Sequence, residues 1–260
     1  MILVIDSGNT RLKWALADSL ATTSVPAWIA AGTVARDALD TLRTDWQGLP
    51  APSVVVVANV AGAAVAQGIR ACLPAIDPAG KGVPFWFASE PHRAGVRNAY
   101  ARPAQLGADR WAAVLGAWQR LHATALVVSA GTATTIDAMT PDGEQAGGLF
   151  QGGMIMPGLA MMRRALGEGT ADLGVQQGVV SMWPRATADA IETGCIEAQI
   201  GAIERARQRL GCRVPVILTG GAADALAPFI EAPLILAPQL VLEGLLVAAR
   251  EHAGDGTAGV

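Results

Sequence analysis

MILVIDSGNTRLK, from Met1 to Lys13, opens the chain. Ile2, Leu3, Val4 and Ile5 form an unbroken, mostly β-branched run of the kind found in buried strands. Asp6-Ser7-Gly8-Asn9-Thr10 then breaks the run with a carboxylate, a glycine and small polar side chains. That composition makes a tight turn whose backbone N–H groups can point at phosphate oxygens. Asp6 is placed to hold a magnesium ion, directly or through water, because hard cations take carboxylate and phosphate oxygens. Lys13 can neutralise phosphate charge. The same residues also fit an ordinary hairpin with an Asp-Ser-Gly-Asn turn, and the recurrence of the pattern further along favours the phosphate reading.

Composition narrows the field. At 260 residues, 52% hydrophobic and 16% charged, the chain can bury a large core in one or two domains. A net charge of -3 and a pI near 5.6 give no basic footprint, so nucleic acid is not expected as a partner. Cys72, Cys195 and Cys212 are odd in number and far apart, which predicts buried, reduced thiols rather than disulfides or a zinc site. His92, His122 and His252 are equally scattered. The N-terminus lacks the basic start of a signal peptide, and the most apolar stretch, Val54 to Ala66, is too short to span a bilayer and carries Asn59. A cytoplasmic protein without membrane partners is expected.

In chain order, Leu12 to Ala17 predicts a second strand antiparallel to the first, Asp18 to Trp28 a loop, and Asp37 to Trp46 a helix from the spacing of Leu39, Leu42 and Trp46. Val54 to Val57 reads as a strand feeding a helix over Ala63 to Leu73, with a short strand at Phe85 to Ala88. This alternation argues for an α/β domain. From Asn98 the sequence runs NAYARPAQLGADRWAAVLGAWQRLH. Trp111, Leu115, Trp118 and Leu121 make one apolar helix face, with Asp109 in or just before the first turn. Asp commonly serves a helix N-terminus there. The same carboxylate suits a base beside a phosphate-binding turn, kept ionised by the helix end. Arg110 offers a fork to an anionic group or forms an ion pair, and Tyr100 is the only tyrosine.

A boundary near His122 to Thr124 divides the chain into domains 1–121 and 122–260. The second half opens as the first does: strand Ala125 to Val128, turn Ser129-Ala130-Gly131-Thr132, return strand Thr134 to Met139, third strand Gly147 to Ile155. Gly131 takes the place of Gly8, and Pro215 to Asp224 repeats strand-then-glycine at Gly220-Gly221. Helices are expected at Pro157 to Leu166, Thr187 to Ile203 and Leu240 to Ala249. Met154, Met156, Met161 and Met162 suit core filling or a subunit interface. The tail from Gly254 to Val260 is expected to fray.

DSGNTRLK at Asp6 to Lys13, LGADR at Leu106 to Arg110, AGTATTID at Ala130 to Asp137 and LTGG at Leu218 to Gly221 together resemble the type III pantothenate kinases, over nearly the whole chain. DxGNT alone marks only the wider acetate kinase, sugar kinase, Hsp70 and actin superfamily, and LGADR separates this family from those relatives. The resemblance implies an α/β fold of two related ribonuclease H-like (actin-like ATPase) domains, with the active site in the cleft between them, and a homodimer. It implies ATP-dependent phosphorylation of pantothenate to 4'-phosphopantothenate, the first step towards coenzyme A. Asp6, Ser7, Gly8, Asn9, Thr10, Arg11, Leu12 and Lys13 would bind ATP with Thr132, and Asp109 would be the catalytic base. Tyr100, Gly107, Ala108, Asp109, Arg110 and Thr187 would surround pantothenate, Thr187 reaching the neighbouring subunit's site.

Many members of the family carry aspartate two residues before the Gly-Thr pair, where it binds a monovalent cation (K+ or NH4+). This chain has Ser129, so a weaker or differently built cation site is expected. Two other readings keep the fold. One is a kinase for another small hydroxyl or carboxylate substrate; the other is a nucleotide-binding regulatory or accessory protein without useful catalysis.

Overall fold

The apolar run at the N-terminus is strand β1 (Ile2–Ser7), and it is unbroken because both of its faces are covered. The computed structural model describes residues 1–18, 25–77, 84–169 and 178–255. These fall into two compact units, Met1–Ala123 with Pro141–Phe150 and Gln239–Val260, and Thr124–Thr140 with Gln151–Pro238. Much of the loop expected over Asp18 to Trp28 lies outside the described residues, as do the last five residues of the tail.

The first unit contains β1, β2 (Arg11–Ala17), β3 (Trp28–Ala35), α1 (Leu42–Asp45), β4 (Val54–Asn59), α2 (Ala63–Cys72), β5 (Pro84–Phe87), β6 (His92–Arg93), β7 (Val96–Asn98) and α3 (Ala108–Leu121). Its sheet runs β3-β2-β1-β4-β5. β1 is antiparallel to β2, with Asp6 opposite Lys13, and parallel to β4, with Asp6 opposite Ala58. Because side chains alternate along a strand, Leu3, Ile5, Val55 and Val57 share one face with Trp14, Trp46, Val65 and Ile69. The other face, carrying Ile2 and Val4, is covered by the chain's last helix.

The second unit begins with β8 (Ala125–Ala130) and β9 (Ala133–Pro141). It continues through β10 (Gly148–Pro157), α4 (Leu159–Gly169), α5 (Thr187–Leu210), β11 (Val216–Thr219), α6 (Ala223–Leu226) and β12 (Leu234–Leu236). Its strands lie in the order β10-β9-β8-β11-β12, with β8 antiparallel to β9 and parallel to β11. Numbered within each unit, the first sheet and these five strands of a seven-stranded sheet, which β7 and β6 extend beyond β10, both read third, second, first, fourth, fifth, the duplicated ribonuclease H-like arrangement implied by the resemblance.

Helix α7 (Leu240–Asp255) belongs to the first unit and crosses α3 there. The crossing is made close by two glycines. A Cβ on Gly116 would sit 2.5 Å from the Leu240 carbonyl oxygen, and one on Gly244 would collide with the Ala112 carbonyl. Arg120 and Glu243 clamp the pair through two hydrogen bonds of 2.6 Å.

Several elements depart from the sequence expectation. The helix over Asp37 to Trp46 is instead a 3-10 stretch, Arg36–Thr41, followed by the single turn of α1, because Ala38 leaves helical geometry at φ -120, ψ 31. Helix α3 buries every residue from Arg110 to Trp118 rather than one face, since α7 covers another side of it. Strand β3 was not expected: WIAAGTVA alternates only weakly, and half of it is exposed on a sheet edge. β6, β7 and β12 are two or three residues long and carry no periodic signal. Cys72 and Cys195 are buried as expected, but Cys212 is exposed.

Candidate active site

In the first unit, the end of β1 and the start of α3 bring two carboxylates together. Asp6 leaves the central strand half-buried, and its carboxyl is pushed up to about 7 from an ordinary 3.8. Burial is the largest cause and the charge of Asp109 the next, while Lys13 across the hairpin pulls the other way. Segments far apart in sequence therefore share one electrostatic site.

The bend after Asp6 is held by backbone. Gly8 N–H donates to the Arg11 carbonyl at 3.1 Å, Val60 N–H to the Ser7 carbonyl at 3.0 Å, and Arg36 N–H to the Thr10 carbonyl at 3.2 Å. The Gly8 amide is thus engaged within the hairpin. Asn9, Thr10 and Arg11 are exposed, whereas Ser7 and Leu12 turn their side chains into the protein at 1% exposure each. The two buried residues can meet a ligand only through backbone.

Asp109 sits in the first turn of α3, behind Gly107 as N-cap. Its Oδ1 accepts the Arg110 N–H at 2.9 Å. Gly107 has an ordinary φ of -57, but a Cβ there would lie 2.6 Å from Asp109 Oδ1. The absence of a side chain at Gly107 is what lets the Asp109 carboxylate occupy its position. Ala108 completes this turn, half-buried.

Arg110 is buried beside the same turn. Its Nη1 donates to the Tyr100 hydroxyl at 2.9 Å, and its guanidinium lies 5.7 Å from the Tyr100 ring centre and 5.9 Å from that of Phe150. The Tyr100 and Phe150 rings are 5.5 Å apart. Phe150 reaches this place because Gly148 to Phe150 of β10 pair with Val96 to Asn98 of β7. Asn98, buried, accepts the Tyr100 N–H at 3.0 Å and donates to Ser89 Oγ at 3.0 Å and the Glu90 carbonyl at 3.2 Å. No motif or periodicity in the sequence points to Asn98, Ser89 or Phe150. An asparagine two residues before a lone tyrosine was a signal, but its partners come from other elements.

In the second unit, Ser129-Ala130-Gly131-Thr132 repeats the bend, with Gly131 N–H donating to the Ala133 carbonyl at 3.0 Å. Gly158 N–H donates to the Thr132 carbonyl at 3.1 Å and Ala222 N–H to the Ala130 carbonyl at 2.9 Å. A Cβ on Gly158 or Gly220 would strike this backbone, so β8, β10 and β11 end in one glycine-lined cluster. Thr132 is exposed on it. Thr187 begins α5 elsewhere in the unit, exposed, on the wall of an apolar cavity of about 630 Å³. Met161, Met162, Leu166, Ile191 and Cys195 also line it.

Among the described residues, no group of three or more His, Cys, Asp or Glu side chains could hold a metal ion by itself. No helix among them is long and apolar enough to cross a membrane. A cation at Asp6 would therefore draw its remaining ligands from phosphate and water.

Comparison with known proteins bears on this site. Residues 2–209 match a family model described as type III pantothenate kinase. A Nitrosospira multiformis protein named type III pantothenate kinase is 40% identical, over 100% of this chain and 95% of its own length. One of the same name from Aromatoleum aromaticum is 44% identical, over 97% of this chain and 99% of its own. Among solved structures, the activator of 2-hydroxyisocaproyl-CoA dehydratase from Clostridium difficile superposes with a TM-score of 0.56 at 13% identity. That match covers 100% of this chain and 97% of the other, a likeness of fold alone.

Proposed function

Since the chain belongs to the type III pantothenate kinase family, and so phosphorylates pantothenate with ATP in coenzyme A biosynthesis, we propose that Asp6 and Asp109 divide the work of this transfer between them. The observation that carries the assignment is their electrostatic coupling, with the Asp6 carboxyl near 7.

Asp109 takes the proton of the primary hydroxyl of pantothenate as the new oxygen–phosphorus bond forms. The bond from the γ-phosphorus to the β,γ-bridging oxygen breaks, and ADP leaves with that oxygen. Phosphoryl transfer passes through a loose transition state, so positioning and charge stabilisation matter more than covalent chemistry. Tyr100, Gly107, Ala108 and Arg110 surround pantothenate, with the buried Arg110 fork suited to a carboxylate. The bend from Asp6 to Lys13 holds the nucleotide phosphates, Lys13 adding positive charge, and Thr132 is a further nucleotide contact.

Two like charges, one of them held near 7 by burial, make a site that a divalent cation relieves. Asp6 would hold magnesium, directly or through water, and the ion would supply positive charge to the triphosphate oxygens. Ser129 offers a neutral oxygen where a carboxylate would attract potassium, so rates should differ little among potassium, ammonium and sodium buffers. A strong preference for potassium would contradict this.

We assign residues 1–121 and 122–260 to two copies of one unit, supported by the matching order of five strands in each, with helix α7 of the second copy lying in the first compact unit. The partner is a second copy of the chain, in the cytoplasm. Support comes from apolar side chains left exposed in the second unit, among them Ile155 at 63%, Met182 at 88% and Trp183 at 84%. Thr187 then serves the neighbouring subunit's site.

The test of the whole reading is incubation with ATP, magnesium and pantothenate, followed by mass analysis. Phosphopantothenate and ADP should form one for one in the parent and hardly at all in Asp109→Asn. Equal rates in the two proteins would remove Asp109 from the mechanism.

A further inference from the structure

The hydrogen bonds around Asn98 carry a role beyond packing. Its carboxamide is buried at 6% exposure, and its three bonds tie together three positions that must agree for Tyr100 to stand where it does. The oxygen takes the Tyr100 N–H, which fixes the backbone from which the phenol projects. The nitrogen is anchored by Ser89 Oγ and the Glu90 carbonyl, just beyond β5. A peptide amide held by a buried side chain has little freedom, because releasing it would leave donor and acceptor unpaired away from water.

Tyr100 in turn receives the Arg110 Nη1 hydrogen bond, and both rest against Phe150. The Ala99 N–H donates to the Phe150 carbonyl at 3.0 Å, so two successive amides leading into Tyr100 are pinned. Arg110 directly follows Asp109 on the first turn of α3. A shift of the phenol would therefore move the guanidinium fork relative to the carboxylate.

We propose that Asn98 is a positioning residue for the pantothenate site, acting through Tyr100 and Arg110, with Ser89 as its anchor. The proposal rests on the assignment of Tyr100 and Arg110 to pantothenate, and it adds two residues that touch no substrate. A group that orients a binding residue affects the reaction unlike one that only holds the fold. Its loss should raise KM for pantothenate while leaving KM for ATP almost unmoved, because the nucleotide bend hangs on other strands.

The experiment is steady-state kinetics on Asn98→Ala, Ser89→Ala and Tyr100→Phe, with thermal melts of each. We expect pantothenate KM to rise about tenfold or more in Asn98→Ala and Tyr100→Phe, and about threefold in Ser89→Ala, with ATP KM within about twofold of the parent. If Asn98→Ala does not fold, Ser89→Ala decides, since it deletes one hydroxyl and leaves the carboxamide in place. Raised pantothenate KM in Tyr100→Phe with parental values in the other two variants that fold overturns the role of Asn98 alone. A parental pantothenate KM in Tyr100→Phe overturns the substrate assignment beneath it, and this inference with it. Equal rises in both KM values, with a lowered melting temperature, make Asn98 merely structural and also overturn the proposal.

Discussion

The carboxylate of Asp109, in the first turn of α3, adds its charge to the burial of Asp6 at the end of β1, and together they raise the Asp6 carboxyl to about 7. The pair is strained electrostatically until a cation or proton arrives.

Replacing Asp109 by Asn removes both the proposed base and the charge beside Asp6. Turnover should fall about a hundredfold to ten-thousandfold, the usual worth of a positioned base, with ATP affinity within about twofold of the parent. Coupled ADP detection and equilibrium nucleotide binding would measure the two. A large loss of ATP affinity would instead make Asp109 a nucleotide ligand.

The Asp6 carboxyl titrates near 7 in the folded chain against an ordinary 3.8. The folded chain keeps a proton there that the unfolded chain has released, so stability declines as pH rises between those values and the penalty persists above 7. Metal-free Asp6→Asn should be more stable than the parent at pH 8 by about 2 kcal/mol, a figure reduced from the full shift because Asp6 is only half-buried. The two should coincide below pH 4. Denaturant melts at pH 4, 6 and 8 would show it; a parent no weaker than the variant at pH 8 would refute the shift.

Gly107→Ala is compatible with the backbone at φ -57, yet its Cβ would lie 2.6 Å from Asp109 Oδ1. The carboxylate must swing aside. The expected result is a fall in kcat of about tenfold or more with a melting temperature close to that of the parent. Unchanged kcat would show that Asp109 works from another rotamer.

Gly116→Ala tests the crossing of α3 and α7. The added methyl faces the Leu240 carbonyl at 2.5 Å and the Gly244 nitrogen at 3.1 Å, atoms of backbone that cannot turn away. Overpacking costs about 1–3 kcal/mol or more, against at most about 1 kcal/mol gained in helix propensity. Thermal melts should therefore show a net loss of stability. A more stable variant would mean that the helices can separate freely.

Trp183→Glu places a charge among the exposed apolar residues of the second unit. If two copies meet there, light scattering should show a dimer for the parent and a monomer for the variant. A dimeric variant would move the interface elsewhere.

The sequence made some of this legible, for identifiable reasons. Ile2 to Ile5 announced a buried strand because residues covered on both faces need no polar alternation. Trp111, Leu115 and Trp118 showed a helix, but not that α7 would bury its far side, since that depends on Gly116 and Gly244 meeting across the fold. β3 escaped notice because an edge strand of small residues buries too little to leave a pattern. Gly32 on that strand is small for a distant reason: a Cβ there would lie 2.6 Å from the Trp14 indole nitrogen.

The sequence by itself determined the chemistry on offer: a carboxylate after a buried strand, another at a helix start, glycine bends in both halves, and the order of motifs that marks the family. These are local matters, set by adjacent residues and short periods. Only the tertiary structure decided that Asp6 and Asp109 share one electrostatic site, that Gly107 clears room for a carboxylate, and that Asn98 ties Tyr100 to Ser89. Those relationships arise where separate elements pack, and the distances between their atoms are fixed by the whole core rather than by any stretch of chain.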